Sequence, residues 1–287
     1  MCLRRPWCSG FPRIAPPPGS VSYPFSPYRS GRHCRRGDDR RVSTRTVASS
    51  ATFVDAWREP VTARRSGPFA VVVVTKSPRS GHVKTRLCPP LAPVDAALLH
   101  AAFLRDTLDR VRLLADVDVA VAYTPAEDRP RFEATCAGVM LLPQSDGDLG
   151  TRLAAIFETL CARGFRGIVA IGADTPTLPP SFVRHAFDLL SRAEVDVVLG
   201  PAHDGGYYLI GLKEPEPALF RDIAWSTDRV YALTMDRAAE ARLRTACLPP
   251  WHDVDTFVDL RRLASELATD GTTAPYTRAQ LVQLGLL

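Results

Sequence analysis

Short apolar runs rich in β-branched residues alternate with longer stretches of helical periodicity from Phe69 onward. Runs such as 69–75 and 167–171 are almost entirely apolar, which is typical of parallel strands buried on both faces. Strands that alternate with helices in this way pair into a mainly parallel sheet with helices on both sides. The sequence therefore predicts an α/β protein with a three-layer α/β/α arrangement.

The limits of the predicted elements follow from apolar periodicity and from the glycines and prolines that interrupt it. We predict strands at residues 69–75, 117–123, 139–142, 167–171, 195–201, 207–212 and 244–248. We predict helices at residues 93–114, 149–161, 181–192, 227–242 and 257–268. Together these elements make residues 69–287 one domain.

Residues 1–68 differ from that domain in composition, with 13 Arg, no Lys, 4 acidic residues and 9 of the 25 prolines. They show no sustained strand or helix period, so we predict a disordered basic tail. Three origins remain open: an organelle transit peptide, a segment that binds an acidic partner, or translated sequence upstream of the true start, which we prefer. The remaining residues carry a formal charge of about −4, so the basic pI is no sign of nucleic-acid binding.

No apolar run approaches the roughly 20 residues that a membrane-spanning helix needs. The seven cysteines are scattered without a Cys-x-x-Cys pair, which argues against a zinc site or a disulfide framework. We therefore expect a cytoplasmic protein with no nucleic-acid partner and no membrane span.

Asp174 follows the predicted strand 167–171 within the run GIVAIGADTPTL. In open α/β sheets, ligands bind at the carboxyl ends of the strands, where this aspartate lies. A carboxylate at that edge suits a hard cation such as Mg²⁺ or Mn²⁺, which takes oxygen ligands and bridges phosphates. The alternative is that Asp174 caps the helix beginning near Ser181.

The loop after the first strand carries four cations within eleven residues: Lys76, Arg79, Lys84 and Arg86. Cations and backbone amides at this edge would hold phosphate oxygens, and Gly81 would let the backbone approach a ligand closely. The alternative is a basic loop that faces solvent.

Two further loops carry polar residues next to predicted strand or helix ends. In QSDGDLGTR at 144–152, Gln144 would hydrogen-bond a base edge, while Asp146 or Asp148 could cap a helix. Asp204 precedes Gly-Gly between two strands, which indicates foremost a hairpin, although its carboxylate could reach a metal or an acceptor.

Asp253 and Asp255 precede the last predicted helix and share one face if the segment is extended, and only one of them need be a ligand. Asp255 or Thr256 could instead cap the helix.

Motifs in these loops occur in an order that resembles a known family. They are Lys84-Thr85-Arg86-Leu87, Gln144 with Gly147-Asp148-Leu149-Gly150, residues 172–176, Asp204-Gly205-Gly206-Tyr207 and Asp253-Val254-Asp255-Thr256. The order is similar to that of the bacterial glycosyltransferase-A-type transferases once catalogued as a domain of unknown function, some of which are named arsenosugar-biosynthesis glycosyltransferases. The resemblance implies a Rossmann-like glycosyltransferase-A fold of the nucleotide-diphospho-sugar transferase superfamily.

The superfamily also contains nucleotidyltransferases. The Lys84 motif is similar to the basic loop of the phospholactate guanylyltransferases. However, Ser77-Pro78-Arg79-Ser80 stands where nucleotidyltransferases have a glycine-rich opening, and Phe257-Val258 stands where the cytidylyltransferases have Pro-Glu.

The loops and the resemblance together imply the following site. Asp174, Asp255 and Asp204 would hold Mg²⁺ or Mn²⁺, and Asp174, Lys84 and Asp204 would be catalytic. The nucleotide and its phosphates would be bound by Lys76, Gly81, Lys84, Thr85, Arg86, Gln144, Gly147, Asp148, Gly150 and Arg152.

The leading hypothesis is a metal-dependent glycosyltransferase that moves a sugar from a nucleotide sugar to a small acceptor. The rival is a nucleotidyltransferase that takes a nucleoside triphosphate, acts on a phosphorylated small molecule and releases pyrophosphate. A third hypothesis is a nucleotide-binding module without catalysis.

Overall fold

The computed structural model describes residues 68–287, so the predicted tail lies outside the described residues except for Pro68. The strands are β1 (Phe69–Lys76), β2 (Val117–Thr124), β3 (Met140–Pro143), β4 (Gly167–Gly172), β5 (Val197–Pro201), β6 (Tyr207–Leu212) and β7 (Thr245–Cys247). The helices are α1 (Pro93–Val111), α2 (Arg129–Thr135), α3 (Leu149–Ala162), α4 (Pro180–Leu190), α5 (Val230–Glu240), α6 (Phe257–Thr269) and α7 (Pro275–Gln283).

The seven strands form one sheet in the order β3-β2-β1-β4-β6-β5-β7. All neighbours are parallel except β6, which runs antiparallel to both β4 and β5. The mainly parallel α/β prediction is confirmed, and so is the hairpin that Asp204 and the following glycines indicated between β5 and β6. Because β1 and β4 are parallel neighbours, their carboxyl ends open side by side at one edge of the sheet.

Alternate residues of each strand pack into cores on opposite faces of the sheet. On one face Val71 and Val73 pack with α1 and α4, and on the other Ala70 and Val72 pack with α3. A third cluster joins α1 to α6 and α7. Each fully buried valine contributes on the order of 1.5–3 kcal/mol to folding, so the β1 run anchors both layers.

The structure corrects several predicted limits. Helices α2 and α7 were not predicted, because α2 buries only Phe132 and α7 only Thr277 and Leu281, too few residues to give an apolar stripe. The predicted helix 227–242 begins at Val230, since Thr227 instead closes a turn onto the Ala224 carbonyl. Helix 93–114 ends at Val111, and strand 195–201 begins at Val197.

None of the helices within residues 68–287 is long and apolar enough to cross a membrane.

Candidate active site

A cavity of about 440 Å³ opens at the carboxyl ends of β1 and β4. Four of the five loops that the sequence singled out contribute to its lining, together with the first turn of α3 and the start of β6, while the turn that carries Asp204 does not. This is the edge at which open α/β sheets bind ligands. Lys76, Gln144 and Asp174 lie at or just after strand ends, which the parallel sheet brings together, while Lys84, Asp253 and Asp255 reach the cavity from longer loops.

Three aspartates form an acidic cluster on one side of the cavity. Oxygens of Asp174, Asp253 and Asp255 all lie within 4.8 Å of one another. The segment 253–255 is held beside Asp174 by a hydrogen bond from the Val254 N–H to the Asp174 carbonyl oxygen, at 3.1 Å. Gly172 leaves room for this arrangement, because a Cβ at that position would collide with Asp174 Oδ1. Three converging carboxylates fit a hard divalent cation.

Lys84 lies among these carboxylates. Its Nζ is 3.0 Å from Asp174 Oδ2 and 2.7 Å from Asp255 Oδ1, and its side chain is only 7% exposed. Burial by itself would lower the pKa of Lys84, but the charges of the two aspartates outweigh burial and raise that pKa above its ordinary value. Lys84 is therefore a charged, buried ammonium that neutralises part of the acidic cluster.

The same charges also act on the pKa values of Asp253 and His100. Burial, and then the charges of Asp174, Asp255 and Asp204, raise the pKa of Asp253 to about 7. Burial, and then the charge of Lys84, lower the pKa of His100 to about 4, so this histidine is neutral at pH 7. Its Nε2 lies 3.1 Å from both Thr75 Oγ1 and the Lys76 carbonyl oxygen.

Only three of the four cations of the first loop line the cavity. Arg79 is bound by both oxygens of Asp128, at 2.6 and 2.5 Å, and does not line the cavity. Lys76 and Arg86 are exposed and line it, and Arg86 Nη1 is 3.6 Å from Asp255 Oδ2. Two exposed cations and the buried Lys84 therefore line the cavity.

Gln144 lines the cavity, and only part of its side-chain amide is available to bind a ligand. Its Nε2 donates to the carbonyl oxygens of Thr75, at 3.0 Å, and Ala122, at 2.8 Å. Both partners are acceptors, so the amide orientation is unambiguous. The group left to contact a ligand is the side-chain carbonyl oxygen Oε1, which accepts hydrogen bonds.

The structure brings most, but not all, of the sequence-predicted site residues to the cavity. Those that line it are Lys76, Lys84, Thr85, Arg86, Gln144, Arg152, Asp174 and Asp255. Those outside its lining are Gly81, Gly147, Asp148, Gly150 and Asp204.

Structural roles account for several of the residues outside the lining. Asp148 caps α3 by accepting a hydrogen bond from the Thr151 N–H, the capping alternative noted above. A Cβ on Gly150 would lie 2.8 Å from the Phe220 carbonyl oxygen, so its missing side chain serves packing. Asp204 accepts a hydrogen bond from Gly206 N–H within its own exposed turn.

The capping alternatives at the two metal-binding candidates do not hold. Helix α4 starts after Pro179 without a side-chain cap, so Asp174 is free of that role. Thr256, not Asp255, caps α6, and it forms a reciprocal capping box with Asp259.

Asp253 and His100 line the cavity and were missing from the predicted site. Asp253 belongs to the acidic cluster, and its spacing of two residues from Asp255 was the available signal. His100 is a helical residue within an apolar stretch, and no sequence pattern distinguishes it from a core histidine.

Comparisons with known proteins agree with this architecture. A family described as "Uncharacterized protein conserved in bacteria (DUF2064)" matches residues 107–227. The crystal structure of a candidate nucleotide-diphospho-sugar transferase from Desulfovibrio desulfuricans is 32% identical, with a TM-score of 0.70. That match covers 76% of this chain and 95% of the solved one.

A 2-phospho-L-lactate guanylyltransferase from Methanothermobacter thermautotrophicus is 30% identical over 128 residues. This alignment covers 45% of the present chain and 55% of the guanylyltransferase, so the chain spans about half the length of this relative.

The fold, with its cavity at the carboxyl ends of β1 and β4, defines a transferase of the nucleotide-diphospho-sugar transferase superfamily. Within that superfamily, the chain belongs to the DUF2064 family.

Proposed function

We propose that this protein is a metal-dependent glycosyltransferase that moves a sugar from a nucleotide sugar to a small acceptor. The observation that carries the proposal is the convergence of three carboxylates with Lys84, Lys76 and Arg86 in one cavity. An acidic cluster beside cations is the arrangement that metal-bound nucleotide phosphates require.

Each group then has a chemical task. A Mg²⁺ or Mn²⁺ ion held by Asp174, Asp253 and Asp255 would neutralise phosphate oxygens and stabilise the leaving nucleoside diphosphate. Lys84 and Arg86 would donate hydrogen bonds to the phosphates, and Lys76 would add positive charge at the end of β1. Gln144 Oε1 would accept a hydrogen bond from the base or ribose.

In this reaction the oxygen of an acceptor hydroxyl forms a bond to the anomeric carbon of the sugar, and the hydroxyl gives its proton to solvent. The bond from that carbon to the phosphate oxygen breaks, and the nucleoside diphosphate leaves with the electron pair. Fixed positive charge matters most at this step, because negative charge grows on the departing diphosphate.

Nucleotidyl transfer is the second candidate. It is supported by the likeness to the guanylyltransferase. Against it, four loop cations would suit a triphosphate, but Arg79 is paired with Asp128 and withdrawn from the cavity. The smaller number of available cations favours a diphosphate-sugar donor.

The test uses thermal unfolding of the full chain with GTP, CTP, UTP and a set of nucleotide sugars, each with Mg²⁺, Mn²⁺ or EDTA. A ligand that binds only the native state raises its stability with the logarithm of ligand concentration. We expect metal-dependent stabilisation by one nucleotide sugar, followed by turnover with that donor.

Product analysis then separates the candidates. Release of pyrophosphate from a triphosphate would replace glycosyl transfer by nucleotidyl transfer. Binding without turnover of any donor, under either metal, would instead indicate a non-catalytic nucleotide-binding module.

A further inference from the structure

The ammonium of Lys84 contacts two of the three carboxylates that would hold a metal ion. It contacts Asp174 Oδ2 at 3.0 Å and Asp255 Oδ1 at 2.7 Å, and these two aspartates belong to the acidic cluster. We propose that Lys84 excludes the metal from this cluster until nucleotide phosphates draw its ammonium away, so that the metal enters together with the nucleotide. This inference rests on the proposed metal-dependent use of a nucleotide.

The ammonium and a divalent cation would compete for the same two carboxylates. Mg²⁺ requires oxygen ligands at roughly 2.0–2.1 Å, whereas the ammonium holds these two oxygens by hydrogen bonds at ordinary donor–acceptor distances. A divalent ion that joins both oxygens would be only a few ångströms from Nζ, and two like charges at that distance repel strongly in a buried site. Both cannot occupy the pair at once.

The position of Lys84 is imposed by the chain around it. Val83 and Leu87 are buried on either side, at 4% and 0% exposure. The Leu87 N–H donates to the Lys84 carbonyl at 2.9 Å, which closes a short 3₁₀ turn. Lys84 itself adopts a left-handed backbone, with φ 46°, a conformation uncommon for residues other than glycine. The turn therefore directs the side chain into the cavity instead of leaving it in solvent.

Phosphate oxygens supply the ammonium with replacement partners. Lys76 and Arg86 are exposed at the same cavity and would attract the phosphates of an entering nucleotide. An ammonium has three donors and no acceptor, so it can exchange carboxylate oxygens for phosphate oxygens without losing hydrogen bonds. The released carboxylates are then available to a cation that the phosphates also bind.

Metal and nucleotide should therefore bind with positive cooperativity, and the coupling is reciprocal. The free protein should bind Mn²⁺ weakly by itself. Removing the ammonium should strengthen Mn²⁺ binding in the absence of nucleotide. Removing a carboxylate that binds the metal would have the opposite effect.

The experiment measures Mn²⁺ binding to the full chain without nucleotide, from the loss of the electron paramagnetic resonance signal of free Mn²⁺. Lys84→Met removes the charge and keeps an unbranched side chain of similar length. We expect this variant to bind Mn²⁺ about tenfold more tightly than the unaltered protein, within the usual range of coupling between sites. Lys84→Arg keeps the positive charge and should keep the weak affinity.

Lys76→Met is the matched control, because it also removes a cation from this cavity. In the described structure, Lys76 forms no hydrogen bond or ion pair with any of the three carboxylates. We expect its Mn²⁺ affinity to change by less than about threefold, the effect of a partly screened charge. Thermal unfolding in EDTA verifies that each variant is folded.

A companion measurement on the unaltered protein needs no variant to fold. Mn²⁺ binding is titrated with GTP, CTP, UTP and the same set of nucleotide sugars, with the affinity of each nucleotide for Mn²⁺ measured separately without protein. Equal protein affinity for Mn²⁺ with and without nucleotide would overturn the inference, as would a Lys84→Met variant that binds Mn²⁺ no more tightly. Absence of Mn²⁺ binding in every variant, with or without nucleotide, would remove the proposed metal site as well.

Discussion

At the scale of single residues, the cavity depends on carboxylates that are in contact with one buried ammonium. Lys84 is held between two aspartates, and burial raises the pKa of Asp253 in the same cluster. Interactions between charges are strong in such a place because little water screens them. A change to one carboxylate should therefore alter function more than stability, provided that Lys84 keeps a partner.

Asp174→Asn tests this expectation. We expect metal-dependent activity to fall by at least about a hundredfold, the order of effect of removing one fixed electrostatic contact from an active site. Folding should persist, since Lys84 keeps its 2.7 Å contact with Asp255. Turnover and the metal-dependent shift in Tm are the measurements.

Asp146→Asn is the control, because this aspartate is exposed and lies outside the cavity lining. It should leave both turnover and the metal-dependent shift in Tm unchanged. Normal activity in the Asp174 variant would contradict a metal-binding role for Asp174.

At the scale of elements, the β5–β6 hairpin is closed by a turn that only glycine fits. Gly205 has φ +89°, and a Cβ there would collide with the backbone of Asp228. Its carbonyl also accepts a hydrogen bond from the Tyr231 N–H in the first turn of α5, at 2.9 Å. The hairpin turn and the start of α5 therefore depend on one residue.

Gly205→Ala should lower the free energy of unfolding by about 3 kcal/mol or more, the sum of backbone strain and overpacking. Gly81→Ala is the comparison, since Gly81 has φ +78° with no atom within 4 Å of the added Cβ. It should lose only about 1–2 kcal/mol, the backbone cost alone. Equal losses in urea denaturation would show that the Asp228 contact is relieved by movement of the turn.

Helix α7 is held to the domain by a buried carboxylate of α1. Asp106 is 1% exposed and accepts hydrogen bonds from the N–H groups of Tyr276, at 3.1 Å, and Thr277, at 2.7 Å. Burial raises the pKa of Asp106 to about 6, although these hydrogen bonds act to lower it. Ionisation of Asp106 is therefore less favourable in the folded protein than in the unfolded chain.

This difference in ionisation predicts a pH dependence of stability. Between about pH 4 and pH 6 the folded state binds more protons at Asp106 than the unfolded state, so stability falls as pH rises. The difference in unfolding free energy between the unaltered protein and Asp106→Asn should decrease across this range by up to about 3 kcal/mol. Urea denaturation at each pH measures it, and an increase with pH would mean that the two N–H donors outweigh burial.

At the scale of the whole molecule, the described residues begin just before the first strand, which packs into both cores. Val71 and Val73 of β1 pack on one face of the sheet and Ala70 and Val72 on the other. The Pro68 carbonyl accepts a hydrogen bond from the Arg166 N–H, at 2.8 Å. The described domain therefore draws its first contacts from residues 68–76.

A chain that starts at Gly67 should keep the Tm of the full chain within about 2 °C, and the same metal-dependent shift with nucleotide. A loss of stability or of nucleotide binding would show that residues 1–66 contribute to the domain. Restoring those residues should then recover the lost Tm.

Much of the fold could be predicted because it depends on local patterns. The apolar run 167–171 specifies a buried strand, and Gly172 specifies where that strand ends. Both signals are local and do not depend on which strands pair with this one. The alternation of strands and helices then leaves a mainly parallel sheet as the arrangement that buries every apolar run. Helices α2 and α7 escaped prediction because they bury too few side chains to show a period.

The sequence by itself determined which polar residues follow the strands, and hence that acidic and basic loops meet at one edge of the sheet. Only the tertiary structure decided their pairing. Arg79 is withdrawn to Asp128, 49 residues away, while Lys84 lies between Asp174 and Asp255, 90 and 171 residues away. Local periodicity carries no information about such distant partners, because the packing of the whole sheet and its helices sets which charged side chains come together.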